Sequence, residues 1–287
     1  MNYNGVKITL YNYESIFQDV DEDVLDEIRL AIQDNTNIME YINPCGDDSY
    51  KLGQIRLAVR NGVPRQYIRY QMTARTLKLI RTMYKSEIEL SPLKRYIGLN
   101  KLSLDADLFE VIAECYLHGG DINKIDFSEV LEENVQVLCQ GLVRGYPMWL
   151  MTSEDLSAGY IRLLMRGIDL GIDVSVFLKD IMSESQLVIL LSNAGTININ
   201  TILQYINSKF SCECMKIIMQ AYKESLDFEL LTFKSSDGYP IYNEFQMYSL
   251  YKALVLKKNK GIYIEEMFNP ALSDFEMDRL LEKYQES

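Results

Sequence analysis

The sequence predicts an all-α fold, a right-handed α-solenoid of about nine helical-hairpin repeats of roughly 25 residues each. Three observations predict it. Gly or Asn recurs seven positions after an apolar anchor, an apolar pair follows further on, and helix breakers are scarce, with 6 Pro and 15 Gly in 287 residues.

The elements follow in chain order. Val6 to Tyr11 alternates apolar and polar residues, which reads as a short strand or hairpin within an N-terminal cap of residues 1–18. Residues 19–287 are expected to form the repeats of a single domain. Ile28 precedes Asn35, and Tyr41-Ile42 follows. Ile55 precedes Gly62, and Tyr67-Ile68 follows. Ile112 stands before Gly119, Leu138 before Gly145, Leu164 before Gly171, Val188 before Gly195 and Leu254 before Gly261. The later pairs are Trp149-Leu150, Phe177-Leu178, Ile202-Leu203 and Met267-Phe268. Glycines 119, 145, 171 and 195 lie 26, 26 and 24 residues apart. Units near 73–97 and 210–231 keep the anchors but lose the Gly. Thr196 to Thr201 alternates like a strand and reads as a distorted junction. Asn43-Pro44 and Asn269-Pro270 separate units, because Pro disfavours helix in the residue before it.

A two-helix unit explains this frame. Apolar residues three and four apart give a helix one buried stripe. Gly or Asn after the last turn takes the left-handed conformation that stops it, and the next apolar residue packs back on the final turn. A shorter second helix then carries the apolar pair. Such a hairpin cannot bury its stripe alone, so neighbours must stack.

The segments Gln54 to Val63, Gly167 to Phe177 and Phe268 to Leu280 resemble a tandem helical repeat found in anaerobic Gram-positive bacteria and their mobile elements. Its usual form runs Gln-Ile-Arg-Leu-Gly-Leu-Glu, then Gly-Leu-Asp-Val-Ser, then Tyr-Ala-x-Pro. The resemblance is strong in three or four units. It implies the architecture and a mobile-element origin, and it supplies no activity and no catalytic residues.

Charge is unevenly spread within a net −12. Residues 1–50 carry 2 basic and 11 acidic groups, residues 51–101 carry 12 and 2, and residues 102–160 carry 2 and 11. Within the basic block, Arg56 and Arg60 share a helical face, as do Arg65 and Arg69, and Arg75 and Lys78. Tyr67 and Tyr70 are interleaved. Arg with Tyr suits a phosphate-tracking, base-stacking surface or a protein hot spot. These eight residues are the candidate binding site for a partner protein or nucleic acid. The competing reading is that the block pairs with acidic neighbours across stacked repeats. The acidic cluster Asp19, Asp21, Glu22, Asp23, Asp26 and Glu27 suits a helix start, or mimics nucleic acid toward a basic groove.

No catalytic constellation emerges. The sole histidine, His118, sits before Gly119-Gly120 as a helix C-terminal cap. Cys212-x-Cys214 is too tight for a zinc knuckle and would point its thiols apart on a helix. Ser91-x-x-Lys94 lacks the later Lys-Thr-Gly element of penicillin-recognising enzymes. Phosphate-binding Gly loops are absent. Neither a cofactor nor a metal is expected. Five scattered cysteines without a signal peptide predict reduced thiols in the cytoplasm, and no apolar run is long enough for a membrane. The methionines 72, 83, 148, 151, 165, 215 and 219, and Trp149, are expected to fill seams between repeats. The expected function is a non-enzymatic protein-binding module, an adaptor or inhibitor. The alternative is a mobile-element-encoded inhibitor of a nucleic-acid-targeting defence enzyme, of anti-CRISPR or antirestriction type, using acidic mimicry or the basic 51–101 surface.

Overall fold

The computed structural model describes residues 1–42, 48–96, 106–152 and 156–285. The Asn43-Pro44 boundary, Cys45 and Lys101 lie outside them. The chain divides into two compact units, Met1–Asp155 and Leu156–Ser287.

The N-terminal hairpin pairs β1 (Asn2–Tyr3) with β2 (Val6–Lys7). Asn4 and Gly5 both have positive φ, 48° and 82°, as a tight hairpin turn requires. The strand covers only the start of the alternating run, because Thr9 and Asn12 bond each other and start α1 (Tyr13–Ile16).

The first unit continues with α2 (Glu22–Gln33), α3 (Ser49–Arg60), α4 (Ala74–Lys85), α5 (Ala106–Leu117) and α6 (Glu132–Arg144). The second holds α7 (Ala158–Asp169), α8 (Ser175–Lys179), α9 (Glu184–Asn193), α10 (Ile199–Ile202), α11 (Cys212–Lys223), α12 (Glu244–Lys260) and α13 (Asp274–Gln285). The chain is therefore mostly helical. In the first unit consecutive long helices pack from α2 to α6; in the second the order is α7, α9, α11, α12 and α13.

The expected second helix of each hairpin is mostly a single 3-10 turn. Such turns occupy Met39–Tyr41, Arg65–Tyr67, Ser91–Arg95, Ile122–Lys124, Met148–Leu150, Phe228–Leu231 and Glu265–Phe268. Only α8 and α10 are α-helical, and both are short. These short elements bury large side chains such as Tyr41, Tyr67, Phe177, Ile202 or Met267, and three to five residues suffice for that. The strand-like stretch 196–201 is the start of α10, capped by the Asn198 side chain accepting from the Thr201 amide.

The helix stops match the Gly frame. Asn35, Gly62, Gly119, Gly145, Gly171 and Gly261 all take positive φ. The stretches 73–97 and 210–231, which lack the Gly, put Glu87 (57°) and Ser225 (51°) there instead. Behind the stop the chain folds back: Val63 N–H donates to Ala58 C=O, Ile88 to Met83, Tyr146 to Gly141, Ile172 to Gly167 and Leu226 to Ala221, at 2.9–3.1 Å. Gly195 departs from the frame. Its φ is not left-handed, and the Ile197 amide reaches Asn193 C=O instead.

Helix starts show a second frame. Thr73, Ser157, Ser183, Ser211 and Asn243 each cap a long helix with a side-chain oxygen. Gln186 and Gln246 close capping boxes and also reach the next connection. Gln186 Nε2 donates to Ser208 C=O (2.9 Å) and Phe210 C=O (2.6 Å), and Gln246 Nε2 donates to Leu272 C=O (2.7 Å). These amides tie one long helix to the connection that leads into the next.

The named methionines are all buried. Trp149 is not: it is 71% exposed, against the expectation that it packs. The turn Met148–Leu150 begins directly after Pro147, and Met148 and Met151 take the interior positions on either side of it.

Left-handed backbone costs a residue with a Cβ about 1–2 kcal/mol, less the extra chain entropy of Gly. Glu87→Gly and Ser225→Gly should each stabilise the fold by roughly 0.5–1 kcal/mol. A Cβ at Gly145 would touch nothing within 4 Å, so Gly145→Ala should cost about 1 kcal/mol through the backbone alone. Urea denaturation midpoints of the three variants check both signs.

Candidate functional site

The basic block lies across α3, α4 and their connections, and much of it faces carboxylates on neighbouring helices. Arg56 is 8% exposed. Its Nε donates to Glu27 Oε2 at 2.8 Å and its Nη1 to Asp34 Oδ2 at 2.6 Å, both on or beside α2. Arg60, one turn on, reaches the same Asp34 oxygen at 3.2 Å. Gly53 makes room, since a Cβ there would stand 3.0 Å from Glu27 Oε1. Arg65 meets Glu40 at 3.4 Å, with both side chains largely in solvent.

From α4 the pairing runs forward. Arg75 bonds Glu110 at 3.0 Å and also Glu114, both on α5, and the Thr73 hydroxyl donates to Glu110 at 2.8 Å. Arg95 donates to the backbone carbonyls of Ile122 and Ile125, which the Tyr96 hydroxyl also reaches. The alternation of acidic, basic and acidic segments is thus read out as pairs between adjacent helices.

Of the expected site residues, Arg56 and Tyr67 are buried. Tyr70 is half-buried, with the Lys51 ammonium 4.2 Å over its ring. Arg65, Arg69 and Lys78 remain exposed, and Arg60 and Arg75 keep one side in water. Arg65 and Arg69 lie near Glu40 and Tyr41. Burial first, and then the Glu40 charge, push the Tyr41 phenol up to about 12, against the opposing pull of the two arginines. Lys78 stands on α4.

A second surface was not anticipated from the sequence. Between the Phe228–Leu231 turn and α12 the chain inserts a small hairpin. Ser235 N–H donates to Tyr239 C=O (2.8 Å), Ile241 N–H to Phe233 C=O (3.0 Å), and Gly238 turns at φ 82°. The preceding connection pins it: Asn207 Nδ2 donates to Gly238 C=O at 2.9 Å, and Lys209 bonds Asp237 C=O while its ammonium lies 4.5 Å over the Tyr239 ring. The hairpin exposes Phe233 (48%) and Tyr239 (57%), and the first turns of α12 expose Phe245 (69%) and Tyr248 (51%). Tyr248 stacks on Tyr251, with Lys252 4.4 Å over its ring. An open groove of about 690 Å³ runs past Lys209, Cys214, Tyr239, Pro240, Phe245 and Asp274.

The legible sign of this surface was spacing. The caps Ser157, Ser183, Ser211 and Asn243 stand 26, 28 and 32 residues apart, so the last interval holds extra chain, and Ser235-Ser236-Asp237-Gly238 is a turn signal.

His118 directly follows the last residue of α5, with its amide donating to the Glu114 carbonyl, and Cys214 is buried while Cys212 is half-buried at the start of α11. Among the described residues no group of three or more His, Cys, Asp or Glu is placed to hold a metal ion. Among them, too, no helix is long and apolar enough to cross a membrane. A scan against protein-family models, a search of curated proteins and a search of solved structures each returned no match.

Removing Arg56 would leave the part-buried Glu27 carboxylate without this partner and Asp34 with only Arg60 of the two arginines. Arg56→Ala should therefore cost roughly 3 kcal/mol, whereas Arg69→Ala should change stability by less than about 0.5 kcal/mol. Chemical denaturation of the two variants compares the buried arginine with the exposed one.

Proposed function

We propose that this chain is a non-enzymatic, protein-binding helical-repeat module, an α-solenoid of about nine repeats, acting as an adaptor or inhibitor of a partner protein. Support for the solenoid comes from the sequential packing of long helices in each unit and from the recurrent left-handed stops. The observation that carries the binding reading is the pinned hairpin with its exposed aromatic rings.

Aromatic side chains dominate interface energetics, and each can bury on the order of 150–250 Å². They anchor hot spots when surrounded by groups that exclude water. Here Phe233, Tyr239, Phe245 and Tyr248 supply the anchors, while Lys209, Lys234 and Lys252 supply cations around them. The complementary partner is a protein surface with an apolar pocket and an acidic rim. The backbone bonds of the hairpin leave few degrees of freedom to lose on binding.

The defence-inhibitor version of this reading draws on the repeat resemblance and on a run of exposed carboxylates, Asp19, Asp21, Glu22, Asp23 and Asp26. It would use a different surface from the aromatic one.

Affinity capture from a lysate of the source organism, with and without nuclease, tests the proposal when run beside the double variant Phe245→Ser, Tyr248→Ser. A protein partner should survive nuclease and fall at least about tenfold with the double variant, as loss of two hot-spot residues predicts, at an unchanged thermal midpoint. Partners that vanish with nuclease would sink the protein-binding reading. Partners held equally by the double variant would move the site elsewhere.

A further inference from the structure

Part of the basic block is taken up by no carboxylate. Arg56, Arg60, Arg65 and Arg75 each meet an acidic neighbour. Among the described residues, Lys78, Arg81 and Lys85 of α4 form no such pair. Lys78 and Lys85 are exposed, and Arg81 is half-buried. They stand at i, i+3 and i+7, so they share one face and span about 10 Å of the helix. Tyr84, 38% exposed, borders them. An open groove of about 550 Å³ runs past Tyr67, Tyr84 and Lys85, with Glu87 and Glu89 also lining it.

We propose that this face of α4 binds single-stranded nucleic acid, with Lys78, Arg81 and Lys85 on the phosphates and Tyr84 stacking on a base in the groove. A row of unneutralised cations suits the repeating charge of a nucleic-acid backbone. An aromatic ring beside an open groove gives an unpaired base a face to stack on. Glu87 and Glu89 can accept hydrogen bonds from an exocyclic amine, such as that of cytosine.

Other polyanions fit this face less well. α4 packs between α3 and α5, and a helix flanked on both sides cannot enter a duplex groove about 12 Å wide. A protein hot spot needs an apolar centre, yet Tyr84 is the one exposed large apolar side chain of α4. The net charge of −12 repels a polyanion at long range, so contact is confined to this face and is weak. The site shares no residue with the aromatic surface of the proposed protein interface, so the two readings stand or fall separately.

Fluorescence anisotropy of a labelled deoxycytidine oligonucleotide, titrated with the full chain, tests the proposal. At low salt the Kd should be about 10 µM, as for other non-specific contacts. The slope of log affinity against log salt should be about −2, from three phosphate contacts at about −0.7 each. Lys78→Ala with Lys85→Ala should weaken binding at least about tenfold and bring the slope to about −0.7, at an unchanged thermal midpoint. Tyr84→Leu should weaken binding about fivefold or more, and Tyr84→Phe should restore it. Lys216→Ala, which removes an ammonium already paired with Glu213, should bind as the parent does. No binding at low salt, equal binding of the duplex form, or full affinity in the double variant would overturn the proposal. Equal binding of polyglutamate would overturn it too, by making the face a contact for acidic protein.

Discussion

Everything in this fold depends on stopping a helix and turning back within two residues. A twelve-residue helix with one apolar stripe has no stability of its own, and it becomes stable only when the next helix lies against it. The left-handed residue after the last turn makes that possible. It frees the following amide to bond the carbonyl five residues back, and it aims the next apolar side chain at the helix just completed. At Gly145 and Gly171 the backbone takes this shape without strain, whereas at Glu87 and Ser225 surrounding packing imposes it on a side-chain-bearing residue.

Polar groups then specify which helix lies against which. The hydroxyl of Thr73 reaches Glu110, Ser157 reaches Glu184, and Asn243 reaches Asp274, so the start of one long helix is bonded to the next. Gln186 and Gln246 repeat the link from inside. Buried polar bonds of this kind add little net stability when made, yet leaving one unmade costs the full desolvation of its partners. They penalise a slipped register more than they reward the native one.

Much of the fold was legible in the sequence because it rests on local rules. A Gly at a fixed distance behind an apolar anchor means the same thing wherever it occurs, so Asn35, Gly62, Gly119, Gly145, Gly171 and Gly261 could be placed without knowing their neighbours. Gly195 misled because position alone does not fix φ. The basic residues were harder. Helical spacing correctly put Arg56 and Arg60 on one face, but whether that face meets water or Asp34 depends on how two helices are rotated about each other, which spacing does not encode. The aromatic surface was harder still. In a chain with 20 Tyr and 10 Phe, the exposed Phe245 and the buried Phe177 look alike. Only the long interval between Ser211 and Asn243 set the region apart. Trp149 shows the same limit, since its exposed position lies between the buried Met148 and Met151 and composition does not tell them apart.

The hairpin between the Phe228–Leu231 turn and α12 is held largely through its backbone: the carbonyls of Asp237 and Gly238 take the hydrogen bonds, and of its side chains Tyr239 adds the ring under the Lys209 ammonium. Its aromatic residues are consequently free of any duty to the core. A change of identity at Phe233 leaves the backbone bonds of the loop in place, so under the proposed binding role recognition could evolve there without disturbing folding. If the proposed partner changed, a lineage could rewrite those few positions and leave the packed helices untouched.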